Sequence, residues 1–278
     1  MMRRDVPGQV TVRSEAMATD FHVTIAHNEP RYARQAAAAA FQELEWIDGR
    51  LSRFVASSDV ARINRSSAEE SLVVAPCTVD CLRAALELEI TTGGSFNVAF
   101  ASQPPRRAAD AIALARDRPA VRVLAPGVLL DLGGIGKGFA LDQMAAVLAE
   151  WGLDRVLLQA SGSTALAGQP PSGRTGWPIR FGPLGGSQGR DLVQSAFSGS
   201  GIDVKGHHIV DPRTGEAVKD RRLAWASAPS AAQADALSTA FMIMTRAEIQ
   251  EYCRCHPPVS AFLLEQTDHA VRGIHDPA

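Results

Sequence analysis

The sequence predicts an α+β fold in a single domain, and three observations carry that prediction. Stretches with strand-like and helix-like apolar spacing alternate along the chain. Neither an internal repeat nor a separating linker divides it. Its 278 residues, 46% of them hydrophobic, are enough to build one substantial core. We therefore expect one domain over residues 1–278, with helices packed on a sheet.

The N-terminal part predicts two strands and two helices. Residues 10–13 and 21–26 are predicted strands, joined across the turn at Met17-Ala-Thr19. Residues 31–50 contain an alanine run, which is typical of a long helix. Residues 78–92 form a second predicted helix, ended by Gly93-Gly94.

The central part predicts a strand, a glycine-rich turn and a helix. The apolar residues 121–130 are interrupted at Pro126-Gly127, which favours a hairpin. Residues 135–151 are a predicted helix that Gly152 closes as C-cap. The remaining patterns predict strands at 155–160, 179–181 and 223–227, a helix at about 235–246, and an exposed turn or lid at 167–177.

The most informative stretch is residues 131–142, Asp-Leu-Gly-Gly-Ile-Gly-Lys-Gly-Phe-Ala-Leu-Asp. Its glycines let backbone N–H groups approach a ligand, and a helix N-terminus behind such a turn attracts phosphate. Lys137 is one of only three lysines in an arginine-rich chain, so an ammonium here is a specific choice. The alternative interpretation is a tight turn that only packs a helix closely on a sheet.

Two common phosphate loops do not match this stretch. A Walker A loop needs glycine where Asp131 stands and Ser or Thr where Gly138 stands. A dinucleotide fingerprint needs glycine at Phe139. The loop therefore belongs to another class.

Residues 131–142 resemble the Asp-Leu-Gly-Gly-Ile-x-Lys-Gly-Tyr-x-x-Asp signature of the FAD:protein FMN transferases, the ApbE family. Four further segments, in the family's order, resemble its other motifs: Met17-Ala-Thr19; Leu51-Ser-Arg-Phe54 with Ala61-Arg-Ile-Asn64; His208-Ile-Val-Asp-Pro-Arg-Thr-Gly215; and Ala234-Asp-Ala-Leu-Ser-Thr-Ala240. The resemblance covers nearly the whole chain, and it implies a T-fold-like domain with a mixed sheet.

Several positions depart from the family's motifs. Residues 159–163 read Gln-Ala-Ser-Gly-Ser where the family has Asn-x-Gly-Gly-Asp, and Phe197 replaces a threonine. Asn97 replaces an aspartate, and Ala18 replaces a glycine. These departures concern the expected isoalloxazine and adenine contacts, whereas the phosphate and metal motifs are better preserved. We expect Phe197 either to block the flavin pocket or to stack on a ring.

Asp235 and Thr239 are four residues apart at a predicted helix start, so their side chains share one helix face. A carboxylate and a hydroxyl suit Mg²⁺, which keeps few protein ligands and takes others from phosphate. The alternative is that Asp235 caps its helix while Thr239 packs internally. The resemblance implies that both residues bind the metal, together with a backbone carbonyl near Gly136.

The resemblance also implies the remaining site residues. Lys137 would face the pyrophosphate as a catalytic residue. His208 would be the second catalytic residue, able to take the proton of an incoming hydroxyl, although the base remains open and a half-buried structural histidine is the alternative. The expected flavin-nucleotide contacts are Met17, Thr19, Asn97, Gly134, Gly136, Lys137, Gly162, Ser163, Ser198 and Gly199.

The resulting hypothesis is a Mg²⁺-dependent enzyme that uses FAD and attaches FMN to Thr or Ser of an acceptor protein, releasing AMP. One alternative is a homologue that binds a flavin or adenine nucleotide without transfer. Another is an FAD pyrophosphate hydrolase that gives FMN and AMP.

Composition narrows the partners further. The formal net charge is −2 and aromatic residues make up 6%, which do not favour a nucleic-acid surface. The sequence contains no apolar run long enough for membrane insertion. We see neither a signal peptide nor a lipoprotein cysteine and expect a cytoplasmic location.

Overall fold

The structure, a computed structural model, describes residues 8–183, 188–201, 210–218, 221–265 and 270–275. The strands in these ranges are, in chain order, β1 (Gln9–Ala16), β2 (Thr19–Ala26), β3 (Ser71–Val73), β4 (Ile112–Leu114), β5 (Ala120–Val123), β6 (Val156–Ala160), β7 (Thr164–Ala167), β8 (Trp177–Phe181), β9 (Gln188–Leu192), β10 (Ser195–Gly201), β11 (Arg221–Ala228), β12 (Ser260–Glu265) and β13 (Arg272–His275).

The helices in the same ranges are α1 (Pro30–Leu51), α2 (Asp59–Ile63), α3 (Pro76–Thr91), α4 (Ala108–Ala111), α5 (Gly136–Glu150), α6 (Ala231–Phe241) and α7 (Arg246–Cys255). The predicted α+β class is therefore confirmed. None of these helices is both long and apolar enough to cross a membrane.

An eight-stranded sheet organises the fold, in the order β1-β2-β6-β7-β10-β11-β12-β13. A three-stranded sheet, β3-β5-β4, and the two-stranded β8-β9 hairpin accompany it. Each described strand pairing is antiparallel, so the mixture of parallel and antiparallel pairs implied by the resemblance is not seen in these ranges.

The large sheet separates two hydrophobic clusters. The larger cluster lies between the sheet and helices that include α1, α3, α5 and α6, and we call this side the helix-covered face. The smaller cluster contains Phe181 of the β8-β9 hairpin and Trp225 of the sheet, and we call that side the hairpin-covered face. Because strand side chains alternate, neighbouring residues of β10 point to opposite faces.

The N-terminal predictions and the helix after the glycine loop are confirmed with small changes of boundary. The strands predicted at 10–13 and 21–26 are β1 and β2, and the long helix is α1. Gly152 follows α5 with φ +71°, and the N–H of Leu153 bonds the carbonyl of Leu148, which together form the expected glycine C-cap.

Two predicted elements are wrong in extent. Of residues 121–130 only the first part is strand, in β5, which pairs with β3 and β4 instead of forming a hairpin across Pro126. The side-chain amide of Asn64 bonds both the N–H and the carbonyl of Leu130, replacing a strand partner. The helix predicted at 235–246 is two helices, α6 and α7, and α6 begins at Ala231.

Candidate nucleotide and metal site

The N-terminal turns of α5 and α6 pack against each other and form the base of the site. Asp142 accepts hydrogen bonds from the N–H groups of Ala231 and Ala232, both at 2.8 Å. A side chain at position 138 would overlap the carbonyl oxygen of Ala231, so only glycine permits this approach. Helix packing is therefore sufficient to explain why position 138 is glycine, whether or not a ligand also contacts it.

Asp235 lies where these two turns meet, and it is only 3% exposed. Its Oδ2 accepts from the Lys137 ammonium and from the Gly138 N–H, each at 3.2 Å. Its Oδ1 accepts from the hydroxyls of Ser198 at 3.3 Å and Thr164 at 3.4 Å. The buried carboxylate is thus paired with one cation and hydrogen-bonded on both oxygens, as burial of a charge requires.

The alternative, that Asp235 caps its own helix, is wrong, because α6 starts four residues earlier. Ser230 is the N-cap, and its side chain accepts from the N–H of Gln233. Asp235 is free to point across to α5. Its hydroxyl partners come from paired strands, since Thr164 of β7 lies directly opposite Ser198 of β10 and their side chains are 2.9 Å apart.

Thr239 stands one turn after Asp235 and faces the glycine loop. Its Oγ1 donates to the Asp235 carbonyl at 3.3 Å and lies 3.3 Å from the hydroxyl of Ser200. A side chain at Gly134 would come within 3.3 Å of the same Oγ1. The structure therefore brings together Lys137, Asp235, Thr239, Ser198 and the loop around Gly134.

Gly136, the first residue of α5, donates its N–H to the carbonyl of Leu132 at 2.7 Å. A Cβ placed there would meet Leu132 Cβ at 3.9 Å, which is an ordinary van der Waals contact and not a clash. Packing does not explain glycine at this position, in contrast to Gly138. A ligand that approaches the backbone remains a reason for it.

The residues around Asp235 fit the expected Mg²⁺ by the chemistry of their donors. The described residues contain no group of three or more His, Cys, Asp and Glu side chains that could hold a metal. What they offer is one carboxylate, the Thr239 hydroxyl and backbone carbonyls of the glycine loop. All are hard oxygen donors, which suit an ion that completes its shell with water and phosphate oxygens.

A second polar group lies at the β1-β2 and β6-β7 turns. Met17 and Ala18 form the first turn with φ 49° and 55°, and the Met17 N–H donates to Asp48. The N–H of Ser161 donates to the carbonyl of Asp20, one residue after Thr19, so the two turns lie side by side. These turns hold the predicted contacts Met17, Thr19, Gly162 and Ser163.

The two polar groups are connected through hydroxyls. Ser163 Oγ lies 3.1 Å from Ser161 Oγ and 3.5 Å from Thr164 Oγ1. Thr164 in turn bonds Asp235. The predicted ring-side and phosphate-side residues therefore lie along one continuous polar path at the ends of the central strands.

Phe197 lies on the hairpin-covered face, so both expectations for it are wrong. It is 4% exposed, and its ring centroid is 4.7 Å from that of Phe181 and 5.9 Å from that of Phe262. The neighbouring Ser198 points the other way, to Asp235. An aromatic at 197 therefore neither fills nor lines the space beside Asp235.

Gly199 shares the hairpin-covered face with Phe197. A side chain at 199 would come within 2.5 Å of the Trp225 ring, and the Gly199 N–H donates to the carbonyl of Ser163 at 2.8 Å. Strand packing thus accounts for glycine at this position. A flavin contact by Gly199 stays a prediction.

The side chain of Asn97 stabilises its own loop through two hydrogen bonds. Its amide nitrogen donates to the carbonyl of Arg106 at 2.9 Å, and its amide oxygen accepts from the N–H of Ala99 at 2.8 Å. An aspartate could accept from Ala99 but could not donate to Arg106. The departure from the family at this position therefore matches the local loop, and a direct flavin contact by Asn97 stays a prediction.

His208 lies outside the described residues, and its catalytic role stays a prediction. The turn that follows it in the motif is held firmly. Arg213 bonds both carboxylate oxygens of Asp211 and also bonds Glu248 of α7 at 2.8 Å. The pKa of the Arg213 guanidinium is raised because these two carboxylates bond it. This ion-pair network ties the 211–215 turn to α7.

Three residues that could contribute to the site were not predicted as site residues from the sequence: Thr164, Asp142 and Phe54. Thr164 follows a motif, and only strand pairing shows that it faces Asp235. Asp142 is the last residue of the glycine motif, which was a usable signal. Phe54 is 83% exposed. The Nε atom of the adjacent Arg53 lies 3.6 Å from Oδ2 of Asp131, at the start of the glycine stretch. Such an exposed ring is available for stacking on a flat ligand.

Comparison with known proteins gives a consistent set of relatives. The model of the ApbE family matches residues 17–263. The FAD:protein FMN transferase of Klebsiella pneumoniae (strain 342) is 22% identical over 282 residues, covering 86% of this chain and 80% of that protein. The protein of the same name from Salmonella typhimurium is also 22% identical, over 89% of this chain and 82% of that protein.

Solved structures share the fold. The flavin transferase ApbE from Vibrio cholerae superposes with a TM-score of 0.83 at 18% identity, covering 95% of this chain and 96% of that one. The ApbE protein from Thermotoga maritima gives a TM-score of 0.82 at 22% identity over the same shares. At these identities the likeness establishes the architecture.

Proposed function

We propose that this chain, which belongs to the ApbE family, is a Mg²⁺-dependent FAD:protein FMN transferase. It would attach FMN through a phosphoester bond to a Thr or Ser of an acceptor protein and release AMP. The observation that carries the proposal is the meeting of Lys137 and Asp235 at the N-termini of two helices, beside a glycine loop. Relatives that span most of the chain bear the same functional name.

The pyrophosphate of FAD would bind at the start of α5. Backbone N–H groups at a helix N-terminus attract anions, and the glycines of the loop place no side chain between its backbone and a phosphate. Lys137 is in the first turn of this helix, with 20% of its side chain exposed. Its ammonium can therefore turn from Asp235 to a phosphate oxygen without leaving the site.

Asp235, Thr239 and a carbonyl near Gly136 would hold Mg²⁺. Bound there, the ion would supply positive charge that neutralises phosphate oxygens and lowers the cost of charge in the transition state. Asp235 is suited to this because it is buried, and because Ser198 and Thr164 fix the orientation of its carboxylate. Lys137, which now balances Asp235, would then be available to the substrate.

The transfer breaks the phosphoanhydride bond of the FAD pyrophosphate and forms one phosphoester bond. The hydroxyl oxygen of the acceptor Thr or Ser forms a bond to the FMN-side phosphorus, and the bond from that phosphorus to the bridging oxygen breaks. AMP leaves with the bridging oxygen, and the hydroxyl proton passes to a base, for which His208 is our candidate. Lys137 stabilises the negative charge on the phosphoryl oxygens during this exchange.

The position of Phe197 weakens the alternative of a binding protein without activity. That departure from the family lies on the hairpin-covered face and leaves the space beside Asp235 unchanged. On the site side, Phe54 offers an exposed ring, and Ser161 and Ser163 offer hydroxyls at the neighbouring turn. These groups are therefore available to contact a ring system.

Incubation of the purified protein with FAD and Mg²⁺, followed by chromatography, tests the proposal. Adding an extract of the host cell supplies acceptor proteins, and in-gel flavin fluorescence detects protein-bound FMN. We expect AMP together with a fluorescent protein band, both lost in EDTA. AMP with free FMN alone would indicate the hydrolase, whereas FAD binding without AMP would indicate the inactive homologue.

A further inference from the structure

We propose that Asp142 is a positioning residue of the site, which fixes α6 on α5 so that Asp235 stands opposite Lys137. The contacts between α5 and α6 that place Asp235 opposite Lys137 involve no ligand. Its consequence for turnover rests on the proposed function.

Each of the two helices supplies a carboxylate that accepts hydrogen bonds from the N-terminal N–H groups of the other helix. Asp142, on α5, accepts from the Ala231 and Ala232 N–H groups at the start of α6. Asp235, on α6, accepts from the Gly138 N–H in the first turn of α5. Each carboxylate therefore satisfies N–H groups that have no partner within their own helix, and each faces the positive end of the other helix dipole.

Because the two helix backbones are in contact, a small displacement of α6 relative to α5 would disturb these reciprocal hydrogen bonds. Gly138 packs so closely on Ala231 that no side chain fits between them. Both oxygens of Asp142 are engaged, which fixes the rotation of α6 as well as its distance. Since Asp235 is four residues after Ala231, about one turn further on, the orientation of this first turn determines where its carboxylate points.

Asp142 cannot reach the reacting groups itself. Its bonds go to the α6 backbone, and it lies five residues beyond Lys137, more than one turn along α5. Its influence on the site therefore passes through Asp235. The expected signature is a change at the Lys137–Asp235 pair that a similar loss of stability elsewhere in α5 does not produce.

Acylation of lysine by an N-hydroxysuccinimide acetate, followed by mass spectrometry, tests this without FAD or metal. The chain has three lysines, so Lys137 is measured against Lys205 and Lys219 in the same molecule. The variants are Asp142→Ala and the shape-preserving Asp142→Asn. Leu148→Ala is the matched control, because Leu148 is fully buried on the same helix but far from its first turn.

We expect Lys137 acylation to be on the order of tenfold faster in Asp142→Ala, since its charge-assisted bond to Asp235 weakens. Asp142→Asn should be intermediate, and Leu148→Ala should match the wild type. In the FAD cleavage assay, Asp142→Ala should lower kcat more than it raises KM. Lys137 reactivity that is equal in Asp142→Ala and wild type would overturn the inference, even if the wild type cleaves FAD. Wild-type failure to cleave FAD would count against the proposed function alone.

Discussion

The two faces of the large sheet are built for different purposes, although single strands contribute to both. On the helix-covered face, β10 places Ser198 against the buried carboxylate of Asp235. On the hairpin-covered face, one residue earlier, it places Phe197 among Phe181 and Phe262. At these two positions of β10, the first face buries a hydrogen-bonded polar group and the second buries an aromatic ring.

This difference shows how departures from a family motif should be weighed. The substitution at 197 changes packing on the hairpin-covered face, which does not touch the site. Those at 161 and 163 lie at a turn that is connected to Asp235 through Thr164. Substitutions that are close in sequence can therefore have unrelated consequences, depending on the face to which each side chain points.

The largest effect is expected from Asp235→Ala on the helix-covered face. Loss of the buried carboxylate removes a metal ligand and an acceptor for Lys137, so Mg²⁺-dependent AMP release should fall on the order of 10³-fold or more. Circular dichroism and thermal unfolding check that the variant is folded, and Asp235→Asn keeps the side-chain shape as a matched control. Normal Mg²⁺ binding and cleavage by Asp235→Ala would show that the metal assignment is wrong.

A smaller effect is expected from Lys137→Met, which keeps most of the side-chain length and removes the ammonium. Turnover should fall by about 10²-fold because charge is lost where the phosphoryl group develops it. FAD affinity, measured by fluorescence quenching, should change much less. Unchanged turnover would remove Lys137 from the catalytic residues.

The carboxyl group of Asp142, on the helix-covered face, should also make stability depend on pH. Burial, opposed by the Ala232 and Ala231 N–H groups and reinforced by Asp235, raises the pKa of Asp142 to about 6. An acid whose pKa rises on folding contributes stability at low pH that is lost as the pH increases through about 6.

The stability of wild type relative to Asp142→Asn should therefore decrease by on the order of 2 kcal/mol between pH 4 and pH 7. Urea unfolding of both proteins across that range measures the difference. As a control from the other face, Phe197→Leu should run parallel to wild type at all pH values. A wild-type to Asp142→Asn difference that does not change with pH would contradict the prediction.

Local signals in the sequence were sufficient for much of the fold. The alanine-rich α1, the β1-β2 pair and the helix closed by Gly152 each depend on propensity, periodicity or a terminal glycine within the segment itself. The Lys137, Asp235 and Thr239 constellation was also predicted, because motif resemblance reports residues that meet in space.

What failed depended on partners distant in sequence. The apolar residues 128–130 look like a strand, but Asn64 satisfies Leu130 in place of a neighbouring strand. The start of α6 at Ala231 is fixed by Ser230 and by Asp142 from another helix. The face of Phe197 follows from the sheet order, which places β10 between β7 and β11.

Paired variants at adjacent positions of β10 test the central claim, that the reacting groups of the nucleotide site lie on the helix-covered face. The measurement is the rate of Mg²⁺-dependent AMP release from FAD by Ser198→Ala and Phe197→Thr, at a temperature where both remain folded. Ser198→Ala should slow release by about tenfold, because Asp235 loses a charge-assisted hydrogen bond. Phe197→Thr should lose about 3 kcal/mol of stability yet release AMP at the wild-type rate. The reverse pattern, with AMP release impaired by Phe197→Thr and unaffected by Ser198→Ala, would contradict the account.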